Sequence, residues 1–210
     1  MAKQRKASAR KRRTAKARAA VKKAAPRRAV RRARRAARPS ARRATSSGRR
    51  RVAPVPPGFH TVTPHLVCRD AAAAIAFYVE AFGARQRARM DDPSGRVAHA
   101  EIRIGDSIVM LGEEMPEMGA SAPPTVGGTS VHIFLYVPAV DKSFARATAA
   151  GATAEMPPTD MFWGDRYAKV VDPFGHKWSL ATHIEDVSLR EMRKRGAAEM
   201  AQMASGGPQG

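Results

Sequence analysis

The first 51 residues carry 23 Lys and Arg and not one Asp or Glu. Val21 and Val30 are nearly the only larger apolar side chains before Val52, so nothing in this stretch can offset the entropy of ordering it. It is expected to be a disordered basic N-terminal arm over residues 1–57, ended by the stiff run Pro54, Pro56 and Pro57. Any fold is confined to the rest of the chain. Residues 52–210 hold the other 15 basic residues against all 18 acidic ones, a net of −3. These 159 residues are enough for one domain with a real core.

Cys68 is the single cysteine, which excludes an intrachain disulfide. Within Leu66-Val67-Cys68 it reads as a packed thiol rather than a nucleophile. The longest uncharged run, Met118 to Val140, contains Pro123-Pro124 and Gly127-Gly128 and does not read as a membrane helix. No charged-then-apolar signal pattern opens the chain, so a cytoplasmic protein is expected. Among the functional readings of residues 1–51, non-specific nucleic-acid contact comes first, and with it nucleoid association, because counterion release requires no fold; an organelle transit peptide, membrane-surface contact and a neutral solubilising tail are the alternatives. The arm has no aromatic side chain to stack on a base.

The remainder reads as two similar halves. A strand ending at Cys68 precedes a helix that Asp70 can cap, with Ile75, Tyr78, Val79 and Phe82 on one face and Gly83 at its end. A strand to Met90, a turn at Asp91 to Gly95, and the pair Val97 to Ile104 and Ser107 to Leu111 complete a βαβββ order. Val131 to Val137, a helix with Val140, Phe144 and Ala147, and a strand at Ala152 to Met156 repeat it. The repeat is completed by a loop at Pro157 to Gly164, Asp165 to Val171, a turn at Asp172 to Gly175 and His176 to Thr182. Met115 to Thr129 reads as the linker, and Val187 to Met203 as a polar helical tail. The expected divisions are residues 1–57, a domain over 58–186 with modules at 59–112 and 130–183, and a C-terminal helix and tail over 187–210.

Alternation assigns side chains to sheet faces. Ala98, Ala100, Ile102 and Ile104 share a face with Leu66 and Cys68, against the helices; His65, His99, Glu101 and Arg103 point the other way. In the second half Val131, Ile133, Leu135 and Val137 face the core, leaving His132, Phe134 and Tyr136 opposite. Such a face is either a cavity lining or an ordinary solvated sheet surface.

Asp70-(x)6-Phe77-Tyr78-(x)3-Phe82-Gly83-Ala84 and Asp172-Pro173-Phe174-Gly175-His176 resemble signatures of the vicinal oxygen chelate superfamily, which includes glyoxalase I, bleomycin-resistance proteins and extradiol dioxygenases. His99 to Asp106, Trp163-Gly164-Asp165-Arg166 and Trp178 to His183 resemble its PhnB-like branch. The resemblance implies an α+β fold of two βαβββ modules whose curved mixed sheet forms a U-shaped cavity, commonly in a homodimer. It further implies a small-molecule ligand and, in metal-dependent members, a divalent ion held by one side chain from each of four strands. Those positions fall at Thr63 (with His65 two residues on), Met110, His132 and Ser179. Met110 and Ser179 are poor ligands for a hard cation, leaving His65 and His132 as the only plausible ones, so a metal is not favoured.

Glu101 is the first choice for a general base if the chain is a lyase, isomerase or dioxygenase-type enzyme. His65, His99, Arg103, His132, Trp163, Arg166 and Ser179 are the candidate ligand-binding residues. Trp163 can stack on a flat ligand or cover the core; Arg166 can pair with Asp165 or receive a ligand carboxylate. A non-catalytic, antibiotic-type binding protein is the alternative.

Overall fold

The computed structural model describes residues 52–206; the expected disorder of residues 1–51 lies outside them. Val52 to Pro57 belongs to no helix or strand. The first module runs β1 (His65–Cys68), α1 (Ala71–Phe82), β2 (Arg85–Asp91), β3 (Val97–Ile104) and β4 (Ser107–Glu113). A 3-10 turn (Pro116–Met118) and the short α2 (Pro123–Val126) occupy the linker. The second module repeats the order as β5 (His132–Tyr136), α3 (Val140–Ala149), β6 (Thr153–Asp160), β7 (Asp165–Val171) and β8 (Lys177–His183). Helix α4 (Leu189–Ala204) comes last.

Each module makes one four-stranded mixed sheet, ordered β1-β4-β3-β2 and β5-β8-β7-β6. The pairs β1–β4 and β5–β8 are parallel and the rest antiparallel. This is the expected α+β repeat. Asp70 caps α1 by accepting the Ala73 N–H at 2.8 Å, and Gly83 closes it at φ +67°. No helix among the described residues is long and apolar enough to cross a membrane.

The helix-facing sides of both modules share one core. Trp178, 1 % exposed, packs on Phe82 and Tyr78 of α1 with ring centroids 4.6 and 5.4 Å away. Cys68 is wholly buried, and burial foremost pushes its thiol up to about 12.

Five local expectations change. Val97 is buried and Ala98 exposed, because the irregular pairing between Met90 and Asp91 on β2 interrupts the alternation at the start of β3. On α1, Phe77 is buried and Val79 exposed. At about 100° per residue Val79 falls past Ile75, outside the arc that faces both the sheet and the Trp178 cluster. Val131 is exposed because β5 begins one residue later. The loop expected from Pro157 is the end of β6, which runs to Asp160. It lies on the sheet edge with irregular pairing between Met156 and Thr159, where a proline's missing N–H costs no ladder bond. The linker contains helical turns because Pro116 and Pro123 open them.

Candidate functional site

The polar face of the first sheet brings three of the expected residues together. His65 pairs with Met110 across β1–β4, and Met110 with Glu101 across β4–β3, so the three lie in one row. The His65 and His99 rings meet edge-on at 6.2 Å. Glu101 stands 3.8 Å from His99 Nε2 and 3.7 Å from the Arg87 guanidinium. Burial and then the neighbouring His99 hold His65 below its ordinary value, which keeps its imidazole neutral at pH 7. Arg103 turns away and donates from Nε to the Gly105 carbonyl at 3.0 Å.

His132 lies on the other sheet, opposite Lys177 on β8. The equivalent face there is aromatic. Phe134 stacks on Tyr167 at 5.7 Å and meets Tyr136 at 5.0 Å, while Trp163 abuts Tyr167 at 5.7 Å. Ser179 sits beneath this layer, 2 % exposed, with its hydroxyl 2.7 Å from that of Tyr167. Arg166 belongs to the helix-facing side of β7. Its guanidinium grips Asp141 of α3 through two bonds of 2.7 Å and Asp160 through one of 2.8 Å. Asp165 is not its partner.

Asp165 instead organises a cluster that residue patterns alone do not announce. It is 4 % exposed. Its Oδ2 accepts from the Trp163 indole at 3.0 Å and the Tyr136 hydroxyl at 3.2 Å, and its Oδ1 lies 2.8 Å from His183 Nδ1. The far ring nitrogen, His183 Nε2, lies 3.0 Å from Asp186 Oδ1. Ionised carboxylates only accept, so contact with one at each ring nitrogen favours the imidazolium, in which both nitrogens donate. Hydrogen bonds to Asp186 and Asp165 hold His183 above its ordinary value. Tyr136, Trp163, Asp165, His183, Asp186 and Met192 line a cavity of about 510 Å³ here.

Gly164 makes this corner. At φ +97° its carbonyl accepts the N–H groups of Ile184 and Glu185 at 2.9 and 3.0 Å, and a Cβ would collide with the Glu185 carbonyl. A sequence signal for the cluster existed in the hairpin. Asp165 and His183 stand nine residues either side of Phe174 in the Asp172 to Gly175 turn, and they pair directly across β7–β8.

The sequence model of the Glyoxalase/Bleomycin resistance protein/Dioxygenase superfamily matches residues 58–180. The chain belongs to this superfamily. Protein Mb0911c of Mycobacterium bovis is 47% identical over 135 residues, covering 63% of this chain and 89% of that one. Protein Rv0887c of Mycobacterium tuberculosis is also 47% identical, with 79% of its length covered. TioX from Micromonospora is 31% identical with a TM-score of 0.49, over 59% of this chain and 98% of that one. A PhnB protein from Bacillus cereus is 16% identical with a TM-score of 0.47, over 59% of this chain and 99% of that one.

The metal of the superfamily's metal-dependent members does not fit the residues present. Met110 offers a thioether, and Ser179 is buried against Tyr167. Among the described residues no three His, Cys, Asp or Glu side chains gather as a metal site requires.

Proposed function

We propose that the chain binds a flat small organic molecule on the aromatic face of its second sheet. The observation that carries this reading is the exposure of Phe134 and Tyr136, 48 % and 62 %, within one contiguous group of rings. Large apolar side chains grouped on a surface mark a place where something docks. Lys169, whose Nζ lies 5.9 Å from the Tyr167 ring centre, and His132 supply polar contacts at its margin. The test is titration with the dye 8-anilinonaphthalene-1-sulfonate. Phe134→Ala with Tyr136→Ala should weaken its binding roughly tenfold; unchanged binding by the double variant removes the reading.

The polar row on the first sheet favours a second reading, an enzyme in which Glu101 is the base. A carboxylate between Arg87 and His99, beside a neutral His65, is equipped to take and return a proton. A screen of lyase, isomerase and oxygenase substrates tests it. Turnover that survives Glu101→Gln would assign the chemistry elsewhere.

A homodimer in the cytosol is part of this proposal, and two features support the dimer. Strands β1 and β5 each pair on one side only, and Val131 stands exposed just before β5. A second copy would cover both. Sedimentation of the full chain at twice the monomer mass of 22.7 kDa is the expected result, and a monomer at all concentrations refutes it.

A further inference from the structure

The Asp165–His183 pair lies apart from the positions at which the superfamily holds its metal, and its environment specifies a ligand chemistry. Asp165 is engaged on both oxygens, Oδ2 by Tyr136 and Trp163 and Oδ1 by His183. It therefore acts as an anchor that fixes the imidazole and both rings at one end of the aromatic face. His183 is different. Its Nε2–H is a charged donor on a side chain 51 % exposed, and its present partner, Asp186, is wholly exposed and three residues along the chain. A carboxylate that returns to bulk water on release is readily replaced, because an exposed ion pair contributes little.

We infer that Asp165, His183 and the rings of Tyr136 and Trp163 form a binding site for a flat aromatic acid, whose anionic oxygen takes the place of Asp186 on His183 Nε2. The inference rests on the reading of the aromatic face as a ligand surface and names the ligand class. The cavity of about 510 Å³ is of the size that accepts a fused bicyclic ring. Tyr136 and Trp163 supply the stacking walls, Val187 and Met192 the apolar remainder, and His183 the one cation in the lining. Asp165 is already paired with the imidazolium and Asp186 turns out to water as the ligand's anionic oxygen replaces it, so an anion meets a charge-assisted donor there.

Binding should follow the protonation of His183. The titratable groups that face it are Asp165 from β7, the Tyr136 hydroxyl of β5 through the same carboxylate, and Asp186 from its own connector. The α4 side of the cavity contributes Ser188, which caps the helix, and Met192. Asp186 and Asp165 hold the proton on, so affinity for an anion is present below the ordinary imidazole value of 6.5 and is lost as the pH rises through the elevated His183 value.

The experiment is calorimetry of the full chain with naphthalene-2-carboxylate, and with 2-naphthylmethylammonium as the cation of matching shape. The carboxylate should bind more tightly than the ammonium. His183→Gln should weaken the carboxylate roughly tenfold. Measured at about pH 5.5, a unit below the ordinary imidazole value so that His183 is charged without Asp186, Asp186→Asn, which removes the competitor, should tighten it about two- to fivefold. A cation-selective or purely apolar pocket gives the opposite sign or no change for Asp186→Asn. Carboxylate binding that falls with Phe134→Ala but ignores His183→Gln and Asp186→Asn overturns the dyad while leaving the aromatic face a ligand surface. Binding of neither probe, with both variants folded by circular dichroism, overturns the aromatic face as well.

Discussion

The Tyr78 hydroxyl donates to Asp172 Oδ2 at 2.7 Å across 94 positions of the chain, from the helix of the first module to the last turn of the second. The same oxygen accepts the Trp178 indole at 2.9 Å, and Oδ1 accepts the N–H groups of Phe174 and His176 at 2.9 Å each. Asp172 is 3 % exposed, so its charge is sustained by these four donors. One carboxylate thus shapes the β7–β8 turn and ties it to α1. Burial foremost, and then this charge, raises the Tyr78 hydroxyl well above its ordinary value, keeping it a donor.

Tyr78→Phe should cost about 1 kcal/mol in urea unfolding, because Asp172 keeps three donors. Asp172→Ala should cost at least about 3 kcal/mol, because it leaves those donors buried and unpaired. Equal losses for the two variants would show that the carboxylate does not organise the junction.

His176 gives a pH dependence with a definite sign. It is 8 % exposed, with Nε2 3.2 Å from the Val67 carbonyl and 3.7 Å from Cys68 Sγ. Burial foremost lowers its value from an ordinary 6.5, against an opposing pull from Asp172. Below 6.5 the unfolded chain therefore binds a proton that the folded chain refuses, and stability falls as the pH falls. Urea unfolding between pH 7 and 5 should show a shallower loss in His176→Gln than in the unaltered chain. Parallel curves would mean that His176 does not contribute.

Cys68, buried and raised to about 12, should be inert toward a disulfide reagent in the native protein. One thiol should appear only on unfolding. Rapid native labelling would mean that β1 opens far more readily than its packing implies.

Removing residues 1–51 should abolish salt-sensitive binding to duplex DNA, since residues 52–210 carry −3 and repel phosphates. The full chain should bind without sequence preference, its log affinity falling with log salt at a slope approaching −0.9 per phosphate neutralised. A gel-shift series at two salt concentrations compares the two forms. Equal binding would exclude the arm as the contact surface, and loss of folding would show that it supports the domain.

The order of elements was legible in the sequence because it rests on local geometry. Asp70 and Gly83 mark the ends of α1 through one side-chain bond and one positive φ. The turn at Asp172 to Gly175 sets β7 against β8 and, by counting outward, Asp165 against His183. Alternation placed His65 and Glu101 on one face of the first sheet and Phe134 and Tyr136 on the corresponding face of the second. Where alternation failed, at Val97 and at Pro157, an irregular pairing or a sheet edge intervened, and neither is a property of the segment by itself. The sequence also determined the charge division between residues 1–51 and the rest. Tertiary structure alone decided what each polar group does. Arg166 was a candidate for ligand binding until the docking of α3 on β7 brought Asp141 to it. Ser179 became inaccessible because Tyr167 lies over it, and Asp165 became an anchor because Tyr136 arrives from β5 beside the neighbouring Trp163. Periodicity records which way a side chain points. Its partners depend on which distant elements pack beside it, and that is fixed only when the two modules close around their common core.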